Sequence, residues 1–160
     1  MFEKYTAVGG LAERPWLDSA ERKDTTLRGM RHELTLQLRF CDTDALGHIN
    51  NAAYAQYAEL GRLALMREAD TLVANLILAR LEIDFRQQLT PDQEAVITTG
   101  VESFGNTSLR LRQSVIVNGK SSCDIQSVLV FFDYETNRPT RVSDEVRAKL
   151  GKYMEPANEA

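Results

Sequence analysis

Two carboxylates, one imidazole and two side-chain amides fall within one short run, Arg39-Phe40-Cys41-Asp42-Thr43-Asp44-Ala45-Leu46-Gly47-His48-Ile49-Asn50-Asn51. An alternating apolar pattern precedes the run and a helical pattern follows it. Strand-to-helix loops are common addresses for sites. The helix that follows supplies unpaired backbone N–H groups and the positive end of its dipole. Such a terminus can hold the oxygen of a polarised carbonyl. A carboxylate held beside it can attack the carbonyl carbon or draw a proton from water. Losing one oxyanion donor typically costs about 10²–10³ in rate.

Plainer roles exist for most of these residues. Asp42 can cap a turn or pair with Arg39. Asn50 or Asn51 is a natural N-cap. His48 can tie the loop together with hydrogen bonds. Asp44 is the hardest to explain by packing alone. Glu59, on the following helix, is either a second site carboxylate or the partner of Arg62 at i,i+3. Two other chemistries compete for the loop. Asp42, Asp44 and His48 form a conceivable divalent-metal set. An apolar strand ending in Asp-x-Asp also resembles the nucleophile motif of haloacid-dehalogenase-type phosphatases, which demands a parallel α/β sheet. A nucleophilic Cys41 would have only two histidines in the chain to activate it. Both Cys41 and Cys123 read as free buried thiols, with no CxxC spacing.

The elements that must position the loop show in the hydropathy pattern. Leu34, Leu36, Leu38 and Phe40 alternate with Glu33, Thr35, Gln37 and Arg39, which predicts a strand with one wet face. Ile77, Ala79, Leu81, Ile83 and Phe85 predict a second strand. Ala95, Ile97, Thr99 and Val101 suggest a third, and Leu109, Leu111, Val115 and Val117 a fourth. Asn118-Gly119 is a strong hairpin signal. A fifth strand runs from about Ser121 to Tyr134. A C-terminal helix is expected over Ser143–Met154, with Ser143 as N-cap. The helix from Ala52 to about Ala69 is apolar round nearly its whole circumference, which predicts burial on all sides. Successive hairpins exclude an alternating β-α parallel sheet. The pattern is an α+β domain, a curved antiparallel sheet of about five strands around one long helix.

Composition sets outer limits. The 160 residues fit one domain, and 43% hydrophobic with 26% charged residues is ordinary for a soluble globular chain. The net charge of -4 argues against a broad nucleic-acid footprint. The longest apolar stretch, Val128–Phe132, is too short to span a bilayer. No basic segment followed by an apolar one opens the sequence, so no signal peptide is expected and the cytosol is the expected location. Residues 1–30 read as a polar extension with breakers at Gly9-Gly10 and Pro15. Residues 31–155 read as a single domain.

The run Arg39 to Tyr54 resembles the signature loop of hotdog-fold acyl-CoA thioesterases of the 4-hydroxybenzoyl-CoA thioesterase type. Tyr57, Glu59 and Arg62 continue the match, which covers about residues 32–150. The resemblance implies a hotdog fold and hydrolysis of an acyl-CoA to free acid and coenzyme A, with no metal or organic cofactor. It places the catalytic carboxylate at Asp44, the oxyanion-binding N–H near Asn51, and a substrate-positioning imidazole at His48. Asn50, Tyr54 and Glu59 fall on the substrate side of the same motif. Arg86, with Arg110, Arg112 and Lys120, is a candidate for the coenzyme A phosphates. Thr107 and Ser108 stand where the family often has a polar pair near the ligand. The implied assembly is a homodimer or homotetramer with sites between subunits. An acyl carrier protein is an alternative thioester donor. A hotdog module that binds an acyl thioester without turnover is the main rival, and hydration of an enoyl thioester ranks below it.

Overall fold

The computed structural model describes residues 30–71 and 75–154. The expected N-terminal extension, apart from Met30, lies outside the described residues. Among these residues six strands and two helices follow in chain order: β1 (His32–Leu36), α1 (Asn51–Glu68), β2 (Leu76–Phe85), β3 (Ala95–Phe104), β4 (Ser108–Val117), β5 (Lys120–Asp133), β6 (Arg138–Pro139) and α2 (Asp144–Gly151). Every strand pair is antiparallel, in the order β1-β3-β4-β5-β2, with β6 a short addition to β5. The parallel sheet that a phosphatase-type Asp-x-Asp requires is therefore not the sheet of this chain. Asn118-Gly119 closes the β4–β5 hairpin, where Val117 pairs with Lys120. Ser143 caps α2 by accepting the Val146 N–H at 3.2 Å. No helix among the described residues is long and apolar enough to cross a membrane.

Helix α1 runs roughly 27 Å across the sheet. Its floor has three zones. One apolar cluster includes Ala53, Tyr54, Tyr57, Ala58, Ile97, Val115 and Ile125. A second includes Leu65, Met66, Val101, Leu109, Leu111, Leu129 and Leu150. Between them a polar belt crosses β3, β4 and β5. Gln113 Nε2 donates to the Ala58 carbonyl at 3.0 Å and to Thr99 Oγ1 at 3.1 Å, and Ser127 Oγ donates to Gln113 Oε1 at 3.2 Å. Arg62, 8% exposed, reaches Ser127 Oγ with Nη1 at 3.4 Å. Gly61 lets the helix settle onto this belt. A Cβ there would lie 2.7 Å from Gln113 Nε2 and 2.8 Å from Thr99 Oγ1.

Two expectations from hydropathy change. Strand β1 ends at Leu36, and Phe40 is 86% exposed in a single 3₁₀ turn over Phe40–Asp42. The cause is local: Asp42 Oδ2 accepts the Arg39 N–H at 3.0 Å and draws the chain into the turn. Helix α1 is not buried on all sides in the single chain. Ala53, Tyr54, Tyr57, Ala58, Gly61, Arg62, Leu65 and Met66 are buried, while Gln56, Glu59, Leu60 and Leu63 face outward. The sheet covers only one side of the helix. Likewise β2 is an edge strand, paired on one side by β5 and bearing a register shift between Leu78 and Arg80.

Candidate active site

The loop between β1 and α1 folds back on itself as a narrow hairpin. At its base the Asn50 N–H donates to the Asp42 carbonyl at 2.8 Å. Thr43 bridges Ile49 in antiparallel fashion, and the Asp44 N–H donates to the His48 carbonyl at 2.8 Å. Gly47, at φ +82°, turns the tip through a conformation that a side chain resists. The base is pinned to the sheet side by the Ile49 N–H, which donates to the Leu89 carbonyl at 2.7 Å.

Asp44 occupies the start of this turn. Its Oδ1 accepts the Leu46 N–H at 2.8 Å and the His48 N–H at 3.2 Å. These bonds fix the carboxylate and leave Oδ2 without a donor among the described residues. Asn50 caps α1: Oδ1 accepts the Ala52 N–H and the carbonyl accepts the Ala53 N–H, each at 2.9 Å. Asn51 is the first residue of the helix and has no carbonyl four residues back inside it. Its N–H has no acceptor among the described residues.

Asp44, His48 and Asn51 share one cleft of about 310 Å³. Leu46, Ile49, Tyr54, Phe85, Arg86, Gln87 and Gln88 complete its lining. Tyr54 is buried, meets the Phe85 ring edge-on at 5.2 Å, and sits with its hydroxyl 3.4 Å from Ser122 Oγ. Burial holds the Tyr54 hydroxyl above the ordinary tyrosine pKa, so it stays neutral. Arg86 is steadied by Asp124, whose Oδ2 accepts its Nε–H at 3.0 Å. The other Asp124 oxygen accepts the hydroxyls of Ser114 at 3.0 Å and Ser121 at 2.9 Å. A fixed cation thus stands at one wall of the cleft and a fixed carboxylate at another.

Other residues named from the sequence lie elsewhere. Asn50 acts at the helix cap and does not line the cleft. Glu59 is exposed on the outward side of α1. The Glu59 charge offsets part of the burial effect that lowers the Arg62 pKa. Thr107 and Ser108 lie at the β3–β4 turn beside the second apolar cluster, where the Thr107 carbonyl accepts the Phe131 N–H at 2.9 Å. A single chain does not bring them to the Asp44 cleft. Arg112 pairs with Glu102 at 2.5 Å.

Asp42 takes a structural position. Its carboxylate accepts the Arg39 amide and, at 2.9 Å, the Tyr57 hydroxyl, so it does not need the Arg39 guanidinium. With Asp42 so engaged, the Asp42–Asp44–His48 metal set is not assembled, and no group of three potential ligands occurs among the described residues. Cys41 is exposed, against expectation, because the 3₁₀ turn faces outward; Cys123 is buried. Phe85, Gln87 and Gln88 were not legible as cleft residues. Phe85 reads as one more apolar position of a strand, and the two glutamines carry no motif.

Residues 38–150 match the thioesterase-like superfamily, and the chain belongs to it. The chain is 27% identical to the chloroplastic acyl-acyl carrier protein thioesterase ATL2 of Arabidopsis thaliana, over 84% of this chain and 76% of that one. Among solved structures it resembles a predicted thioesterase from Bacillus stearothermophilus, with TM-score 0.73 and 29% identity, covering 78% of this chain and 97% of that one. It also resembles a thioesterase complexed with coenzyme A and Zn from Thermus thermophilus, with TM-score 0.68 and 27% identity over 74% and 90% of the two chains. The fold is that of the hotdog thioesterases, and family and neighbours together support hydrolysis of a thioester.

Proposed function

We propose that the chain hydrolyses an acyl-CoA to free acid and coenzyme A, in the manner of the 4-hydroxybenzoyl-CoA thioesterase type. One observation carries the reading: a carboxylate fixed by two N–H groups, with one oxygen left over, shares a cleft with the first N–H of α1. Asp44 acts on the thioester carbonyl, as nucleophile or as the base that takes a proton from water. The Asn51 N–H, at the positive end of the helix dipole, receives the oxyanion. The C–S bond then breaks and coenzyme A leaves; where Asp44 is the nucleophile, water cleaves the resulting Asp44–acyl anhydride to the free acid and restores the carboxylate. His48 positions the substrate from the same wall. Arg86 meets anionic groups of the coenzyme. No cofactor takes part. The working unit is a homodimer or larger, formed over the open β2 edge and the outward face of α1.

The test is thiol release from a panel of acyl-CoAs, with an acyl-acyl carrier protein included because of the Arabidopsis relative's activity. Wild type is expected to turn over at least one member, and Asp44→Asn to lose at least about 10²-fold. Unchanged turnover in Asp44→Asn would remove Asp44 from the mechanism. Tight binding of an acyl-CoA with no thiol release would favour the non-catalytic binding module.

A further inference from the structure

We propose that Asp42 and Tyr57 form a clamp that sets the angle between the loop bearing Asp44 and the helix terminus bearing the Asn51 N–H. The proposal rests on the thioesterase reading above. Both are positioning residues; neither lines the cleft.

The argument is one of fastening points. The site hairpin is held at its base by the Ile49 N–H on the Leu89 carbonyl and by the continuous chain from Asn50 into α1. These two points are adjacent in sequence. Together they define little more than an axis, about which the hairpin, its two strands joined by the Thr43–Ile49 bridge and the Asp44 N–H on the His48 carbonyl, would rock as one body. Asp42 lies on the strand of the hairpin that does not run into α1. Its Oδ2 accepts the Tyr57 hydroxyl at 2.9 Å, and Tyr57 stands six residues inside α1, off the axis. The same oxygen accepts the Arg39 N–H, and the Asp42 carbonyl accepts the Asn50 N–H. One residue therefore joins the turn before the loop, the helix cap and the helix body.

Tyr57 is suited to be the fixed end. It is buried in the first apolar cluster and meets the ring of Tyr54, a cleft residue, edge-on at 6.0 Å. A buried hydroxyl without an acceptor is costly, so the bond to Asp42 is held firmly. Displacement of about 1 Å between reacting groups can cost about 10²-fold in rate. A clamp on the loop is therefore worth more to turnover than to stability.

Tyr57→Phe removes only the hydroxyl and keeps the ring. Its kcat is expected to fall by about 10-fold or more, with KM within about twofold of wild type. Asp42→Asn keeps an oxygen able to accept both donors and is expected to retain more activity than Asp42→Ala. The Asp42→Ala/Tyr57→Phe double variant is expected to match Asp42→Ala alone, because Asp42→Ala, which also loses the Arg39 N–H, already removes the Tyr57 contact. A folded Tyr57→Phe with wild-type kcat overturns the proposal. Backbone amide exchange gives a readout independent of activity. Faster exchange at Asp44, His48 and Asn50 in Tyr57→Phe supports the clamp, and unchanged exchange overturns it. If wild type hydrolyses no thioester, the functional reading fails and amide exchange alone decides the clamp.

Discussion

Asp44 shows how a short loop orients a charge without a salt bridge. Two N–H groups on Oδ1 select one carboxylate orientation and leave Oδ2 without a donor among the described residues. Nothing in residue type alone separates Asp44 from Asp42, two positions earlier. Their separation is geometric, since Asp42 is engaged by the Arg39 N–H and the Tyr57 hydroxyl while Asp44 faces the cleft. The two cysteines divide just as sharply. Burial pushes the Cys123 thiol up to about 12, and Cys41 is exposed. A thiol reagent at neutral pH is expected to label Cys41 rapidly and Cys123 only after unfolding; one-step labelling of both in the folded protein would contradict this. Because the folded state favours the neutral Cys123 thiol, its contribution to stability is complete below its ordinary pKa of 9.0 and is lost as pH rises towards about 12. Denaturant midpoints for wild type and Cys123→Ser, compared from pH 8 to 11, should converge at the alkaline end.

At the scale of elements, the seat of α1 depends on one missing side chain. Gly61→Ala would gain about 1 kcal/mol in helix propensity. It would also drive a methyl into Gln113 Nε2 and Thr99 Oγ1, and Gln113 cannot swing aside without breaking its bonds to Ala58 and Thr99. The net expectation is a loss of about 1–3 kcal/mol, read as a lower urea midpoint with unchanged slope. The five main strands, both helices and the Ser143 cap were legible because each carries a local signal of period, turn or cap. The end of β1 was not. Leu38 and Phe40 continue the alternation, but β3 begins at Ala95, opposite Leu36, and the Asp42 carboxylate three residues beyond Arg39 then draws the chain into a turn. The burial of α1 was legible only in part. Its alanines and leucines read as apolar on every face, but one chain supplies a covering for one face. Gln87 was hidden because it gains meaning from Ser122, with which it is brought together only by the β2–β5 pairing: the Ser122 carbonyl accepts the Gln87 N–H at 3.1 Å and Ser122 Oγ donates to the Gln87 carbonyl at 3.1 Å.

For the whole molecule, the open surfaces among the described residues include the short β1 edge, the side of α1 bearing Leu60 and Leu63, and the ten-residue β2 edge with Leu78 exposed. An uncovered edge of this length invites pairing with another chain. Sedimentation equilibrium at micromolar concentration is expected to return at least twice the chain mass; a folded monomer would count against a site shared between subunits. The negative net charge, -4, gives no general attraction for a polyanionic coenzyme. Under the acyl-CoA function proposed above, capture would rely on local cations, and Arg86, braced by Asp124, is the one that stands in the cleft.

The polar belt beneath α1 has a consequence for how the chain finds its native state. Apolar floors tolerate a helix slid by a turn, since one leucine replaces another at small cost. Here a slide would take the Ala58 carbonyl off Gln113 Nε2 and Arg62 off Ser127, and would bring a larger side chain than Gly61 down onto Gln113 and Thr99 in a dry interior. Misregistered compact states are thereby raised in energy relative to the correct one, which widens the gap that makes folding decisive. The belt works as a detent: the helix clicks into one position along its axis, and its first turn meets the site loop at one place only.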